Sequence, residues 1–375
     1  MKKRLFCVLL GLLVGFSLPL STMAIGGPIS TEPIDLSPAD NLIQTTIPQG
    51  AVAVGYNYQS EETIYYRVNA ETLDLPNGYP YHNELLNENI ASPNGIIDDG
   101  EDWEAVESTQ AMPYSAIACI RMEFAVADDG FATAFLISPN VAMTAAHNLF
   151  EQSCEHKSGE WARRVEVYPG VANGVVQHGA AHALEVIIGA PYFTEKKAFQ
   201  DELTEGGVFA CKCHGTTTLS DYYDWAFILL DEPLGYQYGY FKYEFNSQTI
   251  GRDIHFSAYR YVSGDDALLA NYAQFEQEGE SIRTLYKKAQ DLDQTYVMHY
   301  NLDAEDGQSG GPIFYYNATS NEYRVLAVHN VDYTYEDEED GQEIEIGIVN
   351  QGCRITSQLF SFIHSYTAYV YRAEE

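Results

Sequence analysis

From about residue 96 to residue 354 the chain alternates short apolar runs with breaks of Gly, Asn and Asp. SAIACIRMEFAV, TAFLIS, VAMTAA, RRVEVYPGV, ALEVIIGA, WAFILL, YVMHYNL, PIFYY, YRVLAVHNV and IEIGIV are rich in β-branched and aromatic residues. Runs this short, bounded by turn formers, predict strands, because broad or β-branched side chains fit a pleated surface. Many strands at this density predict an all-β chain built as barrels or a sandwich. The longer pieces at 193–220 and 262–294 read as insertions, and DDALLANYAQFEQEGESIRTLYKKAQDLD within the second predicts a helix. In RITSQLFSFIHSY, Ile355, Leu359, Phe362 and Ile363 recur on one helical face, with Thr356 or Ser357 placed to cap its start. A C-terminal packing helix over about 355–366 follows.

Residues 25–95 differ in texture. They are rich in Pro, Gly, Asn and Ser with only short apolar runs such as AVAVGY, too little for a core of their own, and read as a pro-segment or flexible leader. Before them, MKKRLFCVLLGLLVGFSLPLSTMA has a basic start, an apolar stretch and small residues at Thr22 and Ala24, the pattern of an export signal over residues 1–24. No later stretch is long and apolar enough to span a bilayer, so the protein is expected to be secreted and not membrane-bound.

Composition sharpens this. The 375 residues are 46% hydrophobic and 13% aromatic, enough for a packed core, and tyrosine stands out at 29. The formal net charge of -34 argues against nucleic acid and anionic membranes as partners, which select basic faces. Once the signal is gone, Cys119, Cys154, Cys211, Cys213 and Cys353 remain, an odd set in a compartment where disulfides persist. Cys211, Cys213 and His214 have C-x-C spacing with no second ligand pair, so no metal is expected there. The acidic run EDEEDGQE at 336–343 groups oxygens that could take a structural Ca2+, but lacks dedicated loop spacing and reads first as a solvated loop. No cofactor is required. The NAT at Asn317 is a glycosylation sequon only in a host that glycosylates.

Three segments carry candidate chemistry. In VAMTAAHNLF, His147 follows two alanines at a strand end, where an imidazole can project into a cleft. In DYYDWAFILL, Asp224 opens a strongly apolar strand, with Asp221 and Asp231 flanking the same strand. In GQSGGP, glycines on both sides of Ser309 let the backbone turn sharply and present N–H groups toward one point. A hydroxyl is a poor nucleophile until a neutral imidazole takes its proton, and the imidazole needs a carboxylate to fix its tautomer. Each segment alone is weak; the three in the order His, Asp, Ser in an exported β-rich chain are jointly strong.

On these residues the sequence resembles the chymotrypsin-fold serine peptidases. GQSGGPIFYY, VLAVHN and NQGCRITSQLFSFI narrow the resemblance to the bacterial glutamyl endopeptidase branch over roughly residues 96–366. The resemblance implies two six-stranded antiparallel β-barrels, about 110–232 and 233–354, with the cleft between them and the C-terminal helix behind. It implies His147, Asp224 and Ser309 as a catalytic triad, and the N–H groups of Gly307 and Ser309 as an oxyanion hole. It implies that Asn330 to Asp332 pair with the substrate backbone. It also implies a propeptide over 25–95, an activating protease, and a mature domain over 96–375. The trypsin-type latch is absent, because Gln308 precedes the nucleophile where an Asp would stand.

For specificity, His329 occupies the position of the branch's pocket histidine, whose ring donates to a substrate carboxylate, and predicts cleavage after Glu or Asp. Asp303 lies where trypsin-like enzymes hold the acid that binds Lys or Arg, and Ala304 lacks the hydroxyl usual in the branch. The first expectation is therefore a monomeric secreted serine endopeptidase that cuts proteins or peptides after Glu or Asp. A basic preference comes second, and a non-catalytic binding or adhesion protein on the same fold third.

Overall fold

The computed structural model describes residues 51–67, 104–125, 130–151, 160–172, 175–176, 179–194, 196, 222–245, 253–262, 269, 272–282, 296–300, 302–339 and 342–373. In chain order its strands are β1 (Ala51–Asn57), β2 (Glu62–Arg67), β3 (Glu104–Ala105), β4 (Ile117–Glu123), β5 (Gly130–Leu136) and β6 (Val141–Thr144). There follow β7 (Phe150–Glu151), β8 (Glu160–Trp161), β9 (Arg164–Pro169), β10 (Ala181–Gly189), β11 (Ala226–Leu230) and β12 (Lys242–Tyr243). The last are β13 (Asp253–Tyr261), β14 (Tyr272–Ile282), β15 (Val297–Tyr300), β16 (Pro312–Asn317), β17 (Glu322–Glu339) and β18 (Gln342–Arg354), before a terminal helix (Ser357–Ala373).

Antiparallel pairings run β4 to β5 to β6 to β11 to β10 to β9 and back to β4, closing a first six-stranded barrel. A second ring runs β13, β14, β15, β18, β17, β16 and back to β13. Closure pairs every ring strand on both sides over at least part of its length, which is one way short, apolar strands avoid pairing with another chain. The chymotrypsin-like two-barrel architecture is thus present, with β3 and β12 added to the second sheet through β14 and β17.

The first barrel is filled from strands buried on both faces. Every residue of β6 is buried, as are all but the first of β5 and all but Leu229 of β11. This explains why these runs read as continuous apolar stretches instead of alternating ones. Outside the ring, β1 pairs with β10 from Ala53↔Gly189 to Asn57↔Glu185, beyond the point where β9 leaves that edge at His182. Residues 51–67 therefore form a folded hairpin on the barrel, where a flexible leader was expected from their composition.

The terminal helix is capped by Thr356, whose Oγ1 accepts the Leu359 N–H at 3.1 Å. It runs on to Ala373, past the predicted end at 366, because Tyr366 and Val370 continue the buried stripe of Leu359, Phe362 and Ile363. Phe362 packs on Trp225 and Phe227 of the Asp224 strand region at ring separations of 5.9 and 5.8 Å, and on Tyr66 of the hairpin at 6.1 Å. One apolar core thus spans hairpin, first barrel and helix, with a smaller cluster around Ile254, Phe256, Met298 and Ile313 in the second barrel.

Two further expectations are corrected. Residues 272–282, placed in a helix on sequence, are β14, paired along its length with β13 from Asp253↔Glu280 to Tyr261↔Tyr272. Pairing with a neighbouring strand overrides the helical propensity of its Ala, Gln and Glu residues. Most of the acidic run expected as a loop is strand: residues 336–339 of β17 pair with β18 as far as Glu339↔Gln342, with Asp-Gly in sequence between the two strands. That dipeptide is a strong hairpin signal that the charge run obscured. Cys119 and Cys353 are buried, and Cys353 Sγ donates to the Tyr222 carbonyl at 3.1 Å, while Cys154, Cys211, Cys213 and His214 lie outside the described residues. Among the described residues no helix is long and apolar enough to cross a membrane.

Phe362 is 1% exposed and touches four aromatic rings, so Phe362→Ala removes a ring from a site that cannot collapse around it. A loss of about 3–5 kcal/mol in unfolding free energy is expected from denaturant titration.

Candidate active site

The strand register brings the first two candidate residues together. β6 pairs with β11 at Thr144↔Ala226. His147 follows Thr144 by a single 3-10 turn (Ala146–Asn148), and Asp224 stands just ahead of Ala226, so both sit at the same end of adjacent strands. Ala145 and Ala146 are fully buried, and larger side chains there would push the turn off the barrel.

Asp224, 5% exposed, accepts the His147 backbone N–H on Oδ1 at 2.9 Å and faces His147 Nδ1 with Oδ2 at 2.7 Å. With Nδ1 donating to the carboxylate, Nε2 is left as the basic nitrogen, and the backbone bond fixes the carboxylate as well as the ring. The His147 side chain keeps 36% of its surface open to solvent. Asp231 is used elsewhere, accepting the His182 N–H at 2.7 Å, and Asp221 lies outside the described residues.

Ser309 comes from the second barrel, in the loop that leads into β16. Its carbonyl accepts two hydrogen bonds from the first barrel, from the Thr133 N–H and from Asn148 Nδ2, both at 3.0 Å. Asn148 is the residue next to His147, and its amide also donates to Thr144 Oγ1 at 2.9 Å. Thr133 Oγ1 donates to the Gly307 carbonyl at 2.9 Å and accepts the Tyr259 N–H at the same distance. The loop on both sides of Ser309 is thus held by buried side chains that flank the imidazole.

Glycine is required beside the serine. Gly310 has φ +88°, and a Cβ there would lie 2.1 Å from Thr144 Oγ1 and 2.2 Å from the Thr133 carbonyl. Gly307 likewise has a positive φ, of +90°. Gln308, fully buried, turns its Oε1 back onto the Glu305 N–H at 2.7 Å, closing the loop on itself where a trypsin-like latch would reach outward.

The same loop is laddered to the candidate pocket. Gly310 N–H donates to the His329 carbonyl at 2.8 Å and His329 N–H to the Gly311 carbonyl at 2.9 Å. The His329 ring is 3% exposed, lies 4.9 Å from Phe256, and places Nδ1 2.6 Å from the Tyr300 hydroxyl. The Tyr300 hydroxyl also lies 3.0 Å from the Gln351 carbonyl, and the His329 ring is bonded to the Gln351 backbone as well. Burial lowers the His329 pKa from 6.5 to about 3, so the ring is neutral over the ordinary pH range.

Asp303 is half-buried and bonded to Gln277. Its N–H donates to Gln277 Oε1 at 2.7 Å, and Gln277 Nε2 donates to its Oδ2 at 3.4 Å. Ala304 packs against the apolar cluster of the second barrel. Asn330, 5% exposed, falls at a bulge in the β17–β18 pairing, between His329↔Gly352 and Val331↔Gln351. Thr133, Asn148, Tyr300 and Gln277 are the side chains that sequence reasoning missed. Only Asn148, adjacent to the histidine, had a positional cue. Among the described residues no three His, Cys, Asp or Glu side chains are grouped to hold a metal ion.

No protein-family model matches the chain. Among proteins of curated function it is 26% identical over 215 residues to the glutamyl endopeptidase of Bacillus licheniformis. The chain is a relative of a glutamyl endopeptidase. The match covers 57% of this chain and about half, 53%, of that protein. Among solved structures, a Glu endopeptidase in complex with MPD aligns at TM-score 0.49 and 20% identity over 73% of this chain and all of that one. The protease Anisep from Arthrobacter nicotinovorans aligns at TM-score 0.47 and 15% identity over 71% of this chain and 99% of that one. The two closed rings of strand pairing, not these likenesses, carry the fold.

A buried histidine with a depressed pKa makes stability fall in acid. Between pH 6.5 and about 3 the unfolded chain binds a proton at residue 329 that the folded chain does not, so stability is lost as pH falls through that window. Relative to pH 7, the expected loss at pH 3 from this residue is on the order of 4 kcal/mol. His329→Asn, which keeps a polar group toward Tyr300, is expected to flatten that part of a denaturation-versus-pH curve.

Proposed function

We infer that the chain is a secreted serine endopeptidase. The observation that carries this reading is the 2.7 Å contact of His147 Nδ1 with Asp224, in a turn whose next residue, Asn148, holds the Ser309 carbonyl. In the proposed reaction Ser309 Oγ attacks the scissile carbonyl while His147 Nε2 takes its proton. Asp224 stabilises the imidazolium, and the proton then passes to the leaving amine. The N–H groups of Gly307 and Ser309 take the developing oxyanion. The basic start and apolar run of residues 1–24 support export.

Cleavage after Glu or Asp is the preferred specificity. It is supported by the likeness to a glutamyl endopeptidase and by the ladder that ties His329 to the Ser309 loop. Asp303 favours the alternative, a basic preference, but its carboxylate is already bonded to Gln277. The protein's overall charge of -34 repels acidic substrates, so recognition of Glu has to be local.

Ser309→Ala is expected to abolish hydrolysis and labelling by a fluorophosphonate probe while leaving near-UV circular dichroism unchanged. Undiminished hydrolysis by the pure variant would sink the reading.

A further inference from the structure

The hairpin of β1 and β2 lies within the segment that the sequence marks for removal, yet it is built into the molecule along its edge and at both ends. Along the edge, β1 pairs with β10 at five successive positions from Ala53↔Gly189 to Asn57↔Glu185. Ala53 and Val54 have no exposed surface, and Tyr65 and Tyr66 are 7% and 5% exposed. Gly55 lets the strands close: a Cβ there would lie 2.8 Å from Glu185 Oε1 and 3.0 Å from the Tyr66 ring. The contact it permits is a buried hydrogen bond from the Tyr66 hydroxyl to the Glu185 carboxyl, which is itself 7% exposed.

At the turn end, Tyr58 N–H donates to the Leu184 carbonyl at 3.0 Å and its hydroxyl to the Ala162 carbonyl at 2.7 Å. Tyr56 stacks on Trp161 at 5.9 Å, and Trp161 rests on Phe150 at 5.0 Å. Ala162 N–H donates to the carbonyl of Leu149, the residue that closes the His147 turn, at 2.8 Å. At the other end, Tyr66 lies 6.1 Å from both Phe362 and Tyr366 of the terminal helix. Those two rings pack on Phe227, in the strand that follows Asp224. The hairpin thus braces the platforms beneath both His147 and Asp224.

Taking it away would bare the backbone of β10 from 185 to 189, strip Glu185 of its Tyr66 partner and open the Phe362–Tyr366 face to water. Each is costly for a buried group, and together they make departure of the hairpin an unfolding event for this side of the barrel. We propose that residues 51–67 are a permanent strand pair of the first barrel, which stays bound without a covalent link when the chain is cut between 68 and 103. The protein cut in that interval is then a two-piece assembly. The surface that holds the small piece is the outer edge of β10, the Trp161 face and the terminal helix. This inference does not rest on the peptidase reading and holds for any protein with these contacts.

The test uses the full chain carrying Ser309→Ala, to exclude self-cleavage, with the recognition sequence of a site-specific protease inserted between residues 80 and 90. The intact protein is purified folded, cut, and run on size exclusion in native buffer. Both pieces are expected in one peak at a one-to-one ratio by mass spectrometry, separating only in denaturant. The amides of residues 53–57 are expected to keep their protection from hydrogen exchange after cutting. A small piece that elutes separately in native buffer, or loses that protection, overturns the proposal whatever the state of the remaining chain. In the same protein with Val54→Asp, cutting is expected to release the small piece. Co-elution that survives that change overturns the register on which the proposal stands.

Discussion

The carbonyl of Ser309 is held by two donors from the other barrel, the Thr133 N–H and the Asn148 amide, and the candidate site depends on this clasp. A serine loop between glycines has little conformational preference of its own, since φ near +90° at Gly307 and Gly310 is open to glycine without being fixed by it. What fixes it is that buried polar groups must be paired. Thr133 gives its hydroxyl to the Gly307 carbonyl and takes the Tyr259 N–H, and Thr144 gives its hydroxyl to the Thr133 carbonyl. Leaving any one of these unpaired costs about 1–3 kcal/mol, so the network holds as a unit. It joins the barrels where the turn that carries His147 lies beside the loop that carries Ser309.

Apolar packing supplies the rigidity behind the clasp. Trp225, Phe227, Phe362, Tyr366 and Tyr66 form a continuous set of ring contacts between 5.3 and 6.2 Å that runs from the Asp224 strand through the terminal helix to the hairpin. Aromatic rings bury large area with few rotatable bonds, so this set stiffens the backbone that presents Asp224 without using polar groups. Division of labour follows from the chemistry: the polar network sets directions and the aromatic set resists displacement.

How much of this was legible follows from the range of each interaction. The apolar runs of β5, β6 and β11 are local, and a strand buried on both faces announces itself in five or six residues. His147, Asp224 and Ser309 stood out as candidates because each is framed by an unusual local sequence, and the contact of the first two is visible in the structure. Thr133 and Asn148 were not, since a threonine within a strand and an asparagine after a histidine have many ordinary uses. Their role exists only once β5 and the Ser309 loop are neighbours. Residues 51–67 were misjudged for a related reason. AVAVGY is too short to form a core, but a strand can borrow one, and nothing local in the sequence says that β10 has an uncovered edge beyond His182. The strand at 272–282 was hidden by helix-forming residues whose fate is decided by nine pairings with β13.

The opposed signals for specificity, His329 and Asp303, are weighed by their partners more than by their positions. An acid at a pocket floor selects a cation only if its charge faces the pocket with few competing bonds. Asp303 instead has its N–H and its carboxylate both bonded to Gln277, a side chain 8% exposed on β14. A carboxylate that accepts a fixed amide hydrogen is partly neutralised and restricted in direction, so its pull on a distant ammonium is weaker than position alone implies. The His329 ring is bonded to the Tyr300 hydroxyl through Nδ1 and to the Gln351 backbone, and its own backbone is laddered to the Ser309 loop at Gly310 and Gly311. The histidine, on β17, is therefore tied to the candidate nucleophile's loop at Gly310 and Gly311, while Asp303, at the start of the same loop, is tied to β14 through Gln277. A movement of Gly310 and Gly311 therefore reaches His329 directly.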